Sequence, residues 1–117
     1  MAREKLFENK IKQYLDKKGA YYFKFFANAY TKVGIPDIIV CLNGKFIGIE
    51  VKREEGKPSE LQEYNLKKIN DCGGYGILIY PSGFEKFKKE LEYFMTNDLF
   101  VVPNCNGYIK FKRGWYE

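Results

Sequence analysis

Histidine is absent from the 117 residues. Its absence removes Ser-His and Cys-His catalytic pairs, histidine-based nucleases and histidine-ligated metal sites. Proton transfer is then left to carboxylates, Lys, Tyr or metal-bound water. Cysteine is scarce: Cys41, Cys72 and Cys105 are odd in number and far apart. They form no Cys-x-x-Cys pair, so neither a zinc site nor a disulfide framework is indicated. Cys41 and Cys72 fall among apolar residues, which predicts core thiols and a reducing, intracellular setting. No apolar run approaches the roughly 18–20 residues of a membrane span, so no membrane partner is expected. The opening Met1-Ala2-Arg3-Glu4-Lys5 has no apolar signal core, and secretion is not expected.

What is present fits one globular domain over residues 1–117 with a modest core. Hydrophobic residues make up 45% of the chain, enough to exclude a disordered segment. Aromatics reach 18%, with ten Tyr and ten Phe, and in so small a protein most of them must be core. The formal net charge of +5 favours a polyanionic partner, mildly.

Periodicity sets the order of elements. Phe7, Ile11, Tyr14 and Leu15 make one apolar stripe and predict a helix over 3–18 that ends at Gly19. The aromatic run 21–26 predicts a strand. Two apolar runs then flank Asn43-Gly44, the strongest short-range hairpin signal, because both turn positions need φ > 0. Ile38, Val40 and Leu42 with Ile47, Ile49 and Val51 give one apolar face. Ile39, Cys41 and Phe46 make the other face mostly apolar too, as in a sheet covered on both sides. Pro58 or Ser59 begins a second helix whose buried side is Leu61, Leu66, Ile69 and Cys72, closed by Gly73-Gly74. Tyr75–Tyr80 is a strand, parallel to the second hairpin strand because a helix intervenes. Residues 84–94 form a third helix, 99–102 a further short strand, and 104–107 a turn into 108–111. The expectation is a three-layer α/β core with helices flanking a mixed sheet.

The hairpin carries the chemistry. A two-residue loop pairs Leu42 with Lys45, Cys41 with Phe46 and Ile39 with Gly48, and so sets Asp37 opposite Glu50. Opposed carboxylates on one face have Cβ atoms about 4.5–5.5 Å apart and repel. A divalent cation would reverse that sign. Lys52 shares the face of Glu50, since strand side chains repeat every two residues. Two carboxylates with a strand carbonyl, here that of Val51, make an oxygen-only site suited to Mg²⁺ or Mn²⁺. Such an ion would act as a Lewis acid on a phosphate or activate water, with Lys52 orienting the water and offsetting charge. The alternative for Glu50 and Lys52 is an ordinary salt bridge.

Further candidates surround this set. Glu8 lies about 20° from Leu15 and about 60° from Ile11 on the helical wheel, flanking the buried stripe. It could reach a metal-bound water or a second cation, or be a solvated acid; Glu4, one turn earlier, is its rival. Gln62 could bind the scissile phosphate or the attacking water, or be an exposed helical side chain. Lys57, near the start of the same helix, together with Tyr30 and Lys32 before Gly34, could contact a nucleic-acid backbone; each could equally be a solvated loop residue.

Gly34-Ile35-Pro36-Asp37, Gly48-Ile49-Glu50-Val51-Lys52 and Lys57-Pro58-Ser59-Glu60-Leu61-Gln62 together resemble the VRR-NUC branch of the PD-(D/E)xK nucleases, in particular its stand-alone virus- or prophage-type members. The resemblance covers about residues 4–94; a C-terminal extension, about 95–117, lies outside it. The resemblance implies a restriction-endonuclease-like αβββαβ core and a Mg²⁺-dependent nuclease. It also implies likeness to Holliday-junction resolvases, which act as homodimers on branched DNA inside a bacterial or virus-infected cell, with no small-molecule cofactor. Asp37 and Glu50 match the metal-binding acids, Lys52 the catalytic lysine and Gln62 the helix glutamine. Glu8 and Gly19 keep the spacing of a helix glutamate and helix-ending glycine in related archaeal-type resolvases. Two other readings stand beside it: a monomeric flap or nicking nuclease, and a non-catalytic DNA-binding module of the same fold. The aromatic tail from Tyr108 either covers a sheet edge or serves a dimer.

Overall fold

A computed structural model describes residues 3–26, 33–101 and 104–114, the side chains of 104 and 105 excepted. Its first helix, α1 (Arg3–Lys17), buries Phe7, Ile11 and Leu15 on the expected stripe. Gly19 ends it at φ +75°, where its own N–H and that of Ala20 donate to the Asp16 and Leu15 carbonyls at 3.0 Å. Strands β1 (Tyr21–Lys24), β2 (Ile38–Leu42) and β3 (Lys45–Val51) follow, then helix α2 (Glu60–Asp71) and strand β4 (Tyr75–Ile79). A 3-10 turn at Pro81–Gly83 leads into α3 (Phe84–Asn97), and β5 (Asn104–Cys105) and β6 (Tyr108–Phe111) complete the order. Among the described residues no helix is long and apolar enough to cross a membrane.

The strands form one mixed sheet in the order β1-β2-β3-β4-β6-β5. The pairs β1–β2, β2–β3 and β5–β6 are antiparallel; β3–β4 and β4–β6 are parallel. Asn43 and Gly44 take φ of 53° and 72°, the left-handed pair that a two-residue hairpin turn needs. The register that follows is the expected one, Leu42 with Lys45 through Ile38 with Ile49. Asn43 also ties the hairpin to the end of α3, its amide donating to the Met95 carbonyl at 2.8 Å. On one sheet face Ile38, Val40, Ile47, Ile49, Val51, Ile77, Ile79 and Phe111 pack with Phe7, Ile11 and Leu15 of α1 and Phe87, Leu91 and Phe94 of α3. On the other face Leu66 of α2 packs with Leu78, Tyr80 and Tyr108.

Several expectations are corrected. Helix α2 covers only part of its face, so Leu61 is 51% exposed and both Cys41 and Cys72 are exposed thiols rather than core ones. The residue that α2 buries beside Leu66 is Asn65, whose amide donates to the Leu61 carbonyl at 2.8 Å. Of the strand expected over 99–102, residues 99–101 are not a strand and Val102 lies outside the described residues. Phe100 instead stacks on Phe94 at 4.6 Å between ring centroids, and the Val101 N–H donates to the buried Glu90 carboxylate at 2.9 Å. The turn expected over 104–107 is a second tight hairpin, with Asn106 and Gly107 at φ 58° and 90°. Its second strand, β6, covers the free edge of β4, the sheet-edge alternative for the stretch from Tyr108.

Close approach of α2 to the sheet depends on glycine. A Cβ on Gly76 would lie 2.8 Å from the Leu66 Cα, and its nearest contact would be the Leu66 carbonyl oxygen. Backbone cannot yield as a side-chain tip does, so Gly76→Ala is expected to cost about 1–3 kcal/mol through overpacking. Chemical denaturation measures it, and an unchanged midpoint would refute this account of α2 docking.

Candidate active site

The expected acids meet at the end of the hairpin remote from its turn. Asp37 is one residue before β2, so the assigned ladder stops one step short of it, at Ile38 with Ile49; the same register continued sets it against Glu50, with which its side chain interacts. Its carbonyl accepts from the Phe25 N–H at 2.9 Å, and its Oδ2 from the Val51 N–H at 2.9 Å. Asp37 therefore satisfies a donor at the end of β3, a structural gain that needs no cation. Glu50 is 2% exposed, and alternation along β3 turns it away from the face that buries Ile49 and Val51. Its Oε2 lies 3.7 Å from Lys52 Nζ, and its Oε1 is buried with no hydrogen-bond partner among the described residues. Burial, and then the charge of Asp37, push the Glu50 carboxyl up to about 9, against the opposing pull of Lys52.

Glu8 belongs to the same neighbourhood and its Oε2, like Glu50 Oε1, is buried without a well-aligned hydrogen bond among the described residues, but its charge is balanced by close ion pairs. It is 4% exposed, with Oε1 2.7 Å from Lys24 Nζ and Oε2 3.0 Å from Lys12 Nζ. Burial raises its pKa, but hydrogen bonds and charge from Lys24 and Lys12 outweigh that and hold it below the ordinary carboxylate value. Lys24 Nζ also lies 3.4 Å from Asp37 Oδ1, so one ammonium joins the helix acid to the hairpin acid. Burial lowers the Lys24 pKa, yet Glu8 and Asp37 together raise it. Sequence reasoning missed Lys24; the available signal was a lone lysine inside the aromatic run 21–26. Glu4, Glu8, Lys24 and Asp37 line a cleft of about 260 Å³, so both rival helix acids face the site.

Gln62 has a structural partner. Ser59 caps α2, its Oγ accepting from the Gln62 N–H at 3.2 Å while the Ser59 N–H donates to Gln62 Oε1 at 2.9 Å. This reciprocal box was legible as Ser-x-x-Gln before a helix. It uses the side-chain oxygen and leaves the amide nitrogen as the group able to donate to a ligand. Lys57 is exposed and lines a different cleft, beyond the carboxyl ends of β4 and β6. Tyr30 and Lys32 lie outside the described residues.

Among the described residues no three His, Cys, Asp or Glu side chains gather as a ready metal cage. Two carboxylates and a carbonyl are nevertheless within what Mg²⁺ accepts, because that ion keeps several waters. No family model, curated protein or solved structure matches the chain.

With its folded-state pKa raised from 4.5 to about 9, Glu50 binds a proton in the folded state that the unfolded chain has released, so stability in chelator falls as pH rises through that window. Glu50→Gln should remove this slope, adding on the order of 2–3 kcal/mol at pH 7 and little at pH 5. Thermal unfolding of both proteins from pH 5 to 9 checks it; parallel curves would contradict a buried, unsatisfied carboxyl. Lys24→Met should destabilise by roughly 1.5–3 kcal/mol at pH 7, because it removes the shortest charged hydrogen bond of buried Glu8 and leaves Lys12 to balance it. The loss should shrink at pH 4, where Glu8 can protonate, and urea titrations at both values measure the difference.

Proposed function

We propose that the protein is a Mg²⁺-dependent, structure-specific DNA endonuclease that hydrolyses phosphodiesters in branched DNA, acting on four-way junctions as a homodimer. The observation that carries this reading is the buried Glu50 carboxyl, left with an unpartnered oxygen beside Asp37 and 3.7 Å from Lys52. A fold gains nothing from burying an unsatisfied acid next to another acid. A site that must receive a cation does. The element order α1-β1-β2-β3-α2-β4 and the three motifs that resemble the VRR-NUC nucleases support the same reading.

Asp37, Glu50 and the Val51 carbonyl would hold Mg²⁺, with Mn²⁺ as a substitute. When bound, the ion supplies Lewis-acid stabilisation of charge on the phosphate and lowers the pKa of water. Lys52, largely buried beside Glu50, offers three N–H donors to an anionic phosphate oxygen and offsets its charge. Glu8, held ionised by Lys24 and Lys12, orients water from the helix side of the cleft. The Gln62 amide nitrogen donates to phosphate, and Lys57, with Tyr30 and Lys32, contacts the DNA backbone. Two symmetric cuts in a junction need two such sites, hence the homodimer.

One observation favours a rival, the non-catalytic DNA-binding module. Lys24 already neutralises Asp37 and Glu8 without any metal. End-labelled four-way, flap, Y and duplex DNAs, incubated with Mg²⁺ or with chelator, separate the two. Asp37→Ala and Lys52→Met are each expected to lower junction cleavage by roughly a hundredfold or more. Undiminished cleavage by Asp37→Ala sinks the proposal. Binding without cleavage, and no heat of Mn²⁺ binding, leaves the module. A monomer by sedimentation, with flap cutting, leaves the flap nuclease.

A further inference from the structure

Two-ion phosphodiesterases hold their cations about 3.5–4 Å apart, one for the attacking and one for the leaving oxygen. The cleft beside α1 has the acids for a second ion, Glu8 and Asp37, with Glu4 on its wall. The space between Glu8 and Asp37 is filled, however, by an ammonium of the chain itself. Lys24 Nζ lies 2.7 Å from Glu8 Oε1 and 3.4 Å from Asp37 Oδ1. A Mg²⁺ joining these two oxygens would need the same space, at about 2.0–2.1 Å from each.

Lys24 is held firmly in that place. Its backbone pairs with Ile38 in the β1–β2 ladder, and the next residue, Phe25, donates its N–H to the Asp37 carbonyl at 2.9 Å. The lysine and the hairpin acid are therefore carried on segments tied to each other. The Lys24 side chain is 20% exposed, and its departure would leave the buried Glu8 carboxylate short of its nearest counter-charge.

Charge excludes a second ion as firmly as space does. Glu8 Oε2 lies 3.0 Å from Lys12 Nζ and 3.6 Å from Lys5 Nζ. Lys5, Lys12 and Lys24 thus surround one carboxylate. Even with Glu4 counted, the acids Glu4, Glu8 and Asp37 meet as many ammonium ions, and no net negative charge is left to hold a divalent cation. The other side of Asp37 differs. Its Oδ2 accepts from the Val51 N–H and, as a carboxylate oxygen, keeps a lone pair for a cation. Glu50 adds an oxygen with no hydrogen-bond partner among the described residues, and Lys52 stands at the longer distance of 3.7 Å.

We infer that Lys24 is a built-in cation standing where a second divalent ion would bind, so that the site admits a single ion, at Asp37 and Glu50, and Glu8 ligates none. Lys24 supplies one fixed charge there in place of the two of a metal ion. The place of the first ion rests on the nuclease reading; the exclusion at Glu8 follows from the lysines around it.

The number of Mn²⁺ ions bound per chain tests this without DNA or cleavage. It is counted at pH 7 by loss of the free-ion electron paramagnetic resonance signal and by titration calorimetry. The wild type should bind one ion and show no spectrum of a coupled Mn²⁺ pair. Lys24→Met should bind two and show the coupled pair. Lys24→Met combined with Glu8→Gln should return to one. Lys24→Arg keeps the cation in place and should stay at one, as should Lys89→Met, which removes an exposed lysine of α3. Two ions in the wild type or in Lys24→Arg, one ion in Lys24→Met, or two in the double variant overturns the inference. Melting curves check each variant, and Lys24→Gln, which keeps a donor toward Glu8, replaces Lys24→Met with the same expected count if the latter unfolds. A wild type that binds no ion removes the nuclease reading and this inference together. One ion in both the wild type and Lys24→Met removes this inference alone.

Discussion

Everything at the candidate site depends on the register set by two residues, Asn43 and Gly44, whose positive φ values make the hairpin turn. A one-residue slip would exchange the two faces of β3, expose Ile47, Ile49 and Val51, and carry Glu50 into the helical core. The apolar cost of that slip is large, so the register is held from both directions, by the turn and by burial. Glu50 is consequently locked beneath the surface, two residues from Lys52 and next to Asp37.

The acids around this point are balanced unequally. Glu8 and Asp37 share Lys24, and Lys12 adds a second ammonium to Glu8. Among the described residues Glu50 has one ion-pair partner, Lys52, at the longer distance of 3.7 Å, and keeps one oxygen unpartnered. In a low-dielectric setting the first arrangement favours ionised carboxylates and the second favours a neutral acid. A cation brought to Glu50 would invert its preference. The contrast between two buried carboxyls, one held ionised by two ammonium ions and the other pushed toward its neutral form, is the physical basis of the catalytic proposal.

Beyond the site, α2 and β6 divide the remaining work. Gly76 lets the α2 backbone settle onto β4, which leaves the β1–β2 side of that face bare, with Phe46 half exposed and Tyr21 largely so. On the other side β6 prolongs the parallel part of the sheet and carries its lysines to the edge where β3 carries Glu50 and Lys52. The same layer that buries Tyr80 and Tyr108 therefore presents charge at its rim.

The local signals in the chain determined the three helices, the Asn43-Gly44 hairpin, its register and the face that became the core. Each rests on interactions within a few residues: the stripe of Phe7, Ile11 and Leu15, the positive-φ pair, the Gly19 stop. Even the capping of Gln62 by Ser59 was present as a local pattern. Tertiary structure alone decided that Cys41, Cys72 and Leu61 lie outside, that residues 99–101 leave the sheet for a stack of Phe100 on Phe94, and that β6 runs parallel to β4. It alone brought Lys24 between Glu8 and Asp37, 16 and 13 residues away along the chain. Periodicity reports which side of an element is apolar. Which neighbour covers that side, and which charge meets it, depends on contacts between distant segments, and no short window of sequence contains them.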